Sequence, residues 1–199
     1  MLSDIFVLTG FGLITPILAI FIKEDLAGGS ILAAGIASTI FLITKCSIQL
    51  PFSKYIDAHK DKVKWLVIGT ILIVLVPFVY IFSKTITHVY LAQILYGIGA
   101  GLAYPTWLGL WSTHLDRKHE SFEWSLYSTS VGIGTAITAI VGAAIANYVG
   151  FNLTFGIAGI VSLGGLFILF KLEKQEHSCK IKDQHYHIKR KLLHRVKNH

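Results

Sequence analysis

Six apolar segments, Ile5–Ile22, Ile31–Ser53, Trp65–Phe82, Val89–Trp111, Ser125–Val149 and Asn152–Phe170, take up most of the 199-residue chain, and nearly all charge lies between or beyond them. Each has roughly the 20 residues that a helix needs to cross a ~30 Å hydrocarbon core. A segment that spans lipid alone must satisfy its own backbone hydrogen bonds, which a helix does and a lone strand does not. None shows the in–out alternation of a membrane β-barrel. Only 15% of the residues are charged, against about 25% in soluble domains. The expected fold class is an all-α membrane protein, a six-transmembrane-helix bundle over residues 1–170, with a basic tail at 171–199.

An even number of spans puts both termini on one side, and the cations choose it. With the termini in the cytoplasm, fifteen of the 18 Lys and Arg residues lie inside: four in "SKYIDAHKDKVK" (53–64), then Arg117 and Lys118, and nine from Lys171 onward. Lys23 and Lys84 lie opposite, and Lys45 falls within a span. Loops rich in Lys and Arg stay inside, so both termini are expected to be cytoplasmic, in the plasma (inner) membrane. Trp65, Trp107, Trp111 and Trp124 all fall towards the same ends of their spans, at the level amphipathic rings favour. The opening stretch lacks the basic start and cleavage site of a signal peptide and reads as a retained first span.

The net charge of +7 owes most to the tail. Beside a bilayer such a tail points to anionic lipid rather than nucleic acid. Ile181, His185, Ile188, Leu192 and Val196 share one helical stripe among cations, the pattern of an interfacial helix, with disorder as the competing reading. His177, Cys179, His185 and His187 are metal-ligand types whose spacing matches no closed site, so no metal or cofactor is expected. Cys46 and Cys179 define no disulfide framework.

Two spans carry small residues at every fourth position: Gly97, Gly101, Pro105 and Gly109, then Ser130, Gly134, Thr138, Gly142 and Ala146. Such stripes let backbones approach closely in lipid; helix packing is the plain reading, sliding or rocking the functional one. Pro16, Pro77 and Pro105 each remove a backbone donor and are expected to kink their helices. Polar groups inside spans are costly, which makes them the natural solute-binding candidates. Lys45 leads, with Gln49 one turn on, followed by Gln93, Thr15 and Thr9. The plainer account of Lys45 is a stem that snorkels to the headgroups. All eleven carboxylates lie at span ends, in loops or in the tail, so none is placed to relay a proton across the membrane. Every histidine lies outside the span cores, which leaves an intramembrane serine hydrolase without its base, and no enzymatic activity is expected.

In their order and sidedness these segments resemble the N-terminal six-helix half of a major facilitator superfamily transporter, over Ile5 to Phe170. "GFGLITPILAIFI" is similar to the family's first helix, "QILYGIGAGLAYP" to its fourth and "GAAIANYVGFNLTF" to its fifth-to-sixth turn. The 53–64 hairpin sits where the family has a loop motif of glycine, aspartate and basic residues. Asp57 matches the aspartate, whereas Ser53, Ala58 and Lys60 replace the first glycine, the following basic residue and the second glycine. The resemblance implies a gating loop of Asp57, Lys60 and Lys62; a solvated loop is the plain alternative. Gln93 stands where the family's fourth helix usually has arginine, and Thr138–Ala139 where drug antiporters have Gly–Pro, which speaks against proton-coupled drug export. The family usually has twelve spans, with the site between two halves that rock. The resemblance therefore implies small-solute transport by alternating access, as a homodimer or with a second six-helix half, unless the chain is a fragment or a decayed copy. A non-transporting membrane scaffold or regulatory subunit is the alternative.

Overall fold

The computed structural model describes residues 2–59, 62–112, 119–171 and 174. Among these, seven helices form: α1 (Leu2–Gly12), α2 (Leu18–Glu24), α3 (Ile31–Ala58), α4 (Lys62–Ile81), α5 (Ile86–Ser112), α6 (Glu120–Tyr148) and α7 (Phe151–Lys171). The five from α3 to α7 are each long and apolar enough to cross a membrane. The first expected span differs. In place of one helix over Ile5–Ile22 there are two short ones joined through residues 13–17, so six uninterrupted spans are not what the chain forms. Pro16 disfavours a continuous helix there, because it has no amide for the Gly12 carbonyl and its ring crowds that oxygen, and the buried side chains of Leu13, Ile14 and Ile17 hold the turn. The chain tightens there: the Leu13 amide donates to Gly10 O at 3.3 Å and the Ile17 amide to Ile14 O at 3.0 Å, both one residue shorter than α-helical bonds. Pro77 and Pro105, by contrast, lie inside continuous helices. Lys60, the candidate metal-ligand types of the tail and its amphipathic stripe lie outside the described residues.

Helix α5 is held between α3 and α4 by two glycine faces. A Cβ on Gly97 would lie 2.6 Å from Thr44 Cβ and 2.9 Å from the Phe41 carbonyl, and one on Gly101 would lie 3.0 Å from Ile48 Cβ. Both positions therefore need glycine for α3 to come this close. Two residues along, roughly 200° around the helix, a Cβ on Gly69 of α4 would lie 2.8 Å from the Gly99 carbonyl and 2.7 Å from the Ala103 nitrogen. The contacts advance in the same direction along α3 and α5, so these two helices run parallel.

Helix α6 leans on the first segment: Gly134 meets Thr9, and a Cβ on Gly142 would lie 2.7 Å from Leu13 Cα. Helix α7 turns Phe155, Ala158, Ser162, Leu166 and Leu169 inward at three- and four-residue spacing. The Phe155 ring meets Phe21 edge-on at 4.9 Å and Tyr80 at 5.4 Å, which ties α7 to α2 and α4.

The two ends of the bundle are built differently. At one, the loops before α3 and α5 clasp through a single parallel bridge, with the Ala27 amide on Lys84 O at 3.2 Å and the Ile86 amide on Ala27 O at 3.3 Å. Ser30 caps α3 beside it, its hydroxyl oxygen accepting from the Ala33 amide at 3.0 Å. At the other, Trp107 and Trp111 of α5 gather with Trp124 and Tyr127 of α6, Tyr127 standing 4.7 Å from Trp107, and Trp65 packs on Phe52 at 5.2 Å. The tryptophans thus form one belt at one end. Burial is uneven: in their most apolar stretches α4 buries 50% of its residues, but α3 only 17% and α6 only 6%. Among the described residues, α3 and α6 are the least covered of the long helices.

Candidate functional site

The seam between α3 and α5 carries an aromatic stack and a cation. Tyr96 of α5 lies between Phe11 of α1, at 4.6 Å between ring centres and 15° between planes, and Phe41 of α3, at 4.3 Å and 20°. One turn after Phe41 comes Lys45, whose backbone carbonyl is part of the Gly101 contact. The close backbone approach lets its ammonium reach across the seam, where Nζ stands 4.6 Å from the centre of the Tyr104 ring. Gln49 follows on the same face of α3, half-buried like Lys45. Along one helix face the order is therefore aromatic, cation, amide.

Magnitudes make the cation conspicuous. Lys45 lies midway along α3 but about 12 Å, at 1.5 Å per residue, before Ser53, where the expected span gives way to the charged hairpin. A lysine at the centre of a membrane helix costs about 2.5–3.5 kcal/mol on insertion scales, an upper figure for a side chain this close to the headgroups. The face of a tyrosine returns about 0.5–1 kcal/mol where exposed, and about 2 when dry. Tyr104 is left 45% uncovered by the rest of the chain, and at either figure its face offsets only part of that cost. Among the described residues no carboxylate pairs with Lys45; the ion pair found there joins Lys62 and Asp57. Part of the charge's cost stays uncompensated.

The other candidate residues stand elsewhere. Gln93 is buried to 3% exposure and donates Nε2–H to the Tyr80 hydroxyl at 3.1 Å, on the α4 side of α5. Thr15 stands in the break of the first segment and donates its hydroxyl to Phe11 O at 2.9 Å. Thr9 turns a buried, unbonded Oγ1 towards Gly134. The five solute-binding candidates thus fall at four places, with only Lys45 and Gln49 together. Asp57 lies 3.8 Å from Lys62 within the α3–α4 hairpin, with side chains 73% and 23% exposed. Lys62 also covers Gly109, where a Cβ would lie 3.3 Å from Nζ. Of the small-residue stripes, Gly97 and Gly101 meet α3, whereas Gly134, Thr138 and Gly142 meet the first segment.

Sequence reasoning did not single out Tyr104, Tyr96 or Phe41. Aromatic residues in apolar helices carry no mark of their own, and which ring faces the lysine depends on the register of α3 on α5. One signal was present: Tyr104 follows Gly101 by three residues, close to the glycine face on which α3 rests.

A search of curated proteins returned no match to the chain. A family model described as Major Facilitator Superfamily matches residues 1–196. That match takes in nearly the whole chain, and the apolar helices of the structure accord with it. The chain thus belongs to the Major Facilitator Superfamily, a family of membrane transporters, and is an integral membrane protein.

Proposed function

We propose that the chain moves a small solute across the plasma membrane by alternating access, working against a second six-helix half supplied by another copy of itself or by a separate polypeptide. The observation that carries this reading is the exposure of α3 and α6, which bury only 17% and 6% of their apolar stretches while the other long helices bury 44–50%. Helices so little covered within one bundle suit a boundary between two bundles, and transporter sites lie at such boundaries near the midplane. Lys45 and Gln49 lie on one of those two helices. In this reading α1, the 13–17 turn and α2 together make the first crossing, which brings both termini to the cytoplasm with the cation-rich loops. Asp57 and Lys62 then brace the cytoplasmic ends of α3, α4 and α5 in one of the two access states.

The test has two arms. Cys46 is exposed on α3, so in a Cys179→Ser background mild oxidation of native membranes is expected to give a dimer that Cys46→Ser abolishes. Proteoliposomes holding only this chain are expected to exchange solutes from a panel of organic anions, sugars and amino acids. A monomeric mass in nanodiscs with no cross-linking from either α3 or α6 would remove the homodimer. A cross-linked dimer that exchanges nothing on the panel would favour the scaffold reading over transport.

A further inference from the structure

We propose that the face of α3 formed by Phe41, Lys45 and Gln49, with Tyr104 of α5, binds an organic anion: a carboxylate or similar oxyanion on an apolar, preferably aromatic, body. The inference rests on the reading that this face lines the solute path, and it names the class of solute.

Charge comes first. Lys45 is a cation within an apolar span, and no carboxylate among the described residues pairs with it. Its partner is the face of Tyr104, at 4.6 Å, which offsets only part of the cost of the charge. A negative ligand cancels the rest; a neutral one leaves it, and a cation adds to it. The contact with Tyr104 is also easily exchanged. Nearly half of the tyrosine is left uncovered by the rest of the chain, and a lysine stem carries its ammonium through several ångströms by rotamer changes alone. When the ammonium turns to an oxyanion, the vacated ring face can stack the ligand's body.

The neighbours suit such a ligand. Gln49, one turn beyond Lys45, offers amide N–H groups to a second oxygen. Phe41, one turn before it and stacked on Tyr96 at 4.3 Å, offers an apolar wall. Oxygen-binding groups at one end and rings at the other match the polarity of an amphiphilic anion.

Binding is tested on the whole chain in phosphatidylcholine nanodiscs with radiolabelled benzoate, phenylphosphonate and phenylsulfonate, against neutral benzamide and cationic benzylammonium. At least one anion is expected to bind saturably, and the neutral and cationic probes not to compete. Lys45→Met is expected to weaken that anion roughly tenfold or more, as loss of a charge-assisted bond does. Lys45→Arg and Tyr104→Phe, which keep the charge and the ring face, are expected to retain it; Lys45→Arg also shows that the site tolerates substitution and folds. Binding of none of the three anions, equal binding of benzamide, or undiminished binding by Lys45→Met overturns the proposal. A lipid headgroup has the same chemistry. If added phosphatidylglycerol alone raises the unfolding temperature, and Lys45→Met removes the effect, the anion is a lipid and the solute site falls. The transport reading fails separately: an anion held through Lys45 but not carried into proteoliposomes leaves the site and removes the transporter. Flux of a neutral solute unchanged in Lys45→Met does the reverse.

Discussion

Gln93 of α5 donates its amide to the hydroxyl of Tyr80 of α4 at 3.1 Å, both side chains being almost wholly buried. Loss of either partner leaves a polar atom dry, which costs about 1–3 kcal/mol in soluble proteins, whereas single interhelical bonds in bilayers average about 0.6. Gln93→Leu and Tyr80→Phe are therefore each expected to lower unfolding stability in mixed micelles by about 1 kcal/mol. The double variant is expected to lose less than the two singles together. Strict additivity in that cycle would show that the bond carries no energy.

Gly69 and Gly132 should answer alike to alanine if glycine matters only as a poor helix former, and oppositely if close approach decides. The new methyl at Gly69 would meet backbone on α5, at 2.7 Å from the Ala103 nitrogen. Backbone cannot swing aside, so Gly69→Ala is expected to cost about 1–3 kcal/mol by forcing α4 from α5. Around Gly132 there is open space, and Gly132→Ala is expected to be neutral or to stabilise by up to about 1 kcal/mol. Thermal unfolding of the two variants side by side decides it.

Asp57 and Lys62 meet at 3.8 Å with the carboxylate side chain 73% exposed. Water and salt screen such a pair, whose worth is typically below about 1 kcal/mol. Asp57→Asn is thus expected to leave the unfolding temperature nearly unchanged. If the hairpin gates, the same variant will change the labelling rate of Cys46 on the exposed face of α3. A large loss of stability with labelling unaltered would make Asp57 a structural residue instead.

Much of this architecture was legible because lipid imposes it: five of the six apolar segments became the helices α3 to α7, within a few residues of their expected ends. Helix α3 ran on to Ala58, into the charged hairpin, because Lys54 and Asp57 sit as well on an exposed helical end as in a loop. The four-residue stripes marked Gly97, Gly101, Gly134 and Gly142, but not Gly69, which stands alone in its helix and matters only because α4 and α5 cross there, against Gly99 and Ala103. Lys45 announced itself by charge; Tyr104 did not, since register between helices is a property of the pair. Pro16, Pro77 and Pro105 looked alike in the chain, yet only Pro16 stands where the helix stops.

That contrast bears on what keeps the first segment broken. Pro16→Ala would return an amide for the Gly12 carbonyl and remove an obstacle worth about 3 kcal/mol in a helix interior. Opposing this are the buried side chains of Leu13, Ile14, Ile17, Phe21 and Ile22, all at most 3% exposed. Converting the 13–17 turn, where three-residue bonds alternate with α-helical ones, to a regular α-helix would rotate α2 against α1 and pull Phe21 from Phe155. Unpacking even two such side chains costs on the order of 4 kcal/mol or more, so packing wins and the break persists. Spin labels at Phe6 and Lys23 would stand about 26 Å apart along a straight helix. Their separation in Pro16→Ala is expected to match that of the parent chain; a shift to the straight-helix value would show that Pro16 alone breaks the segment.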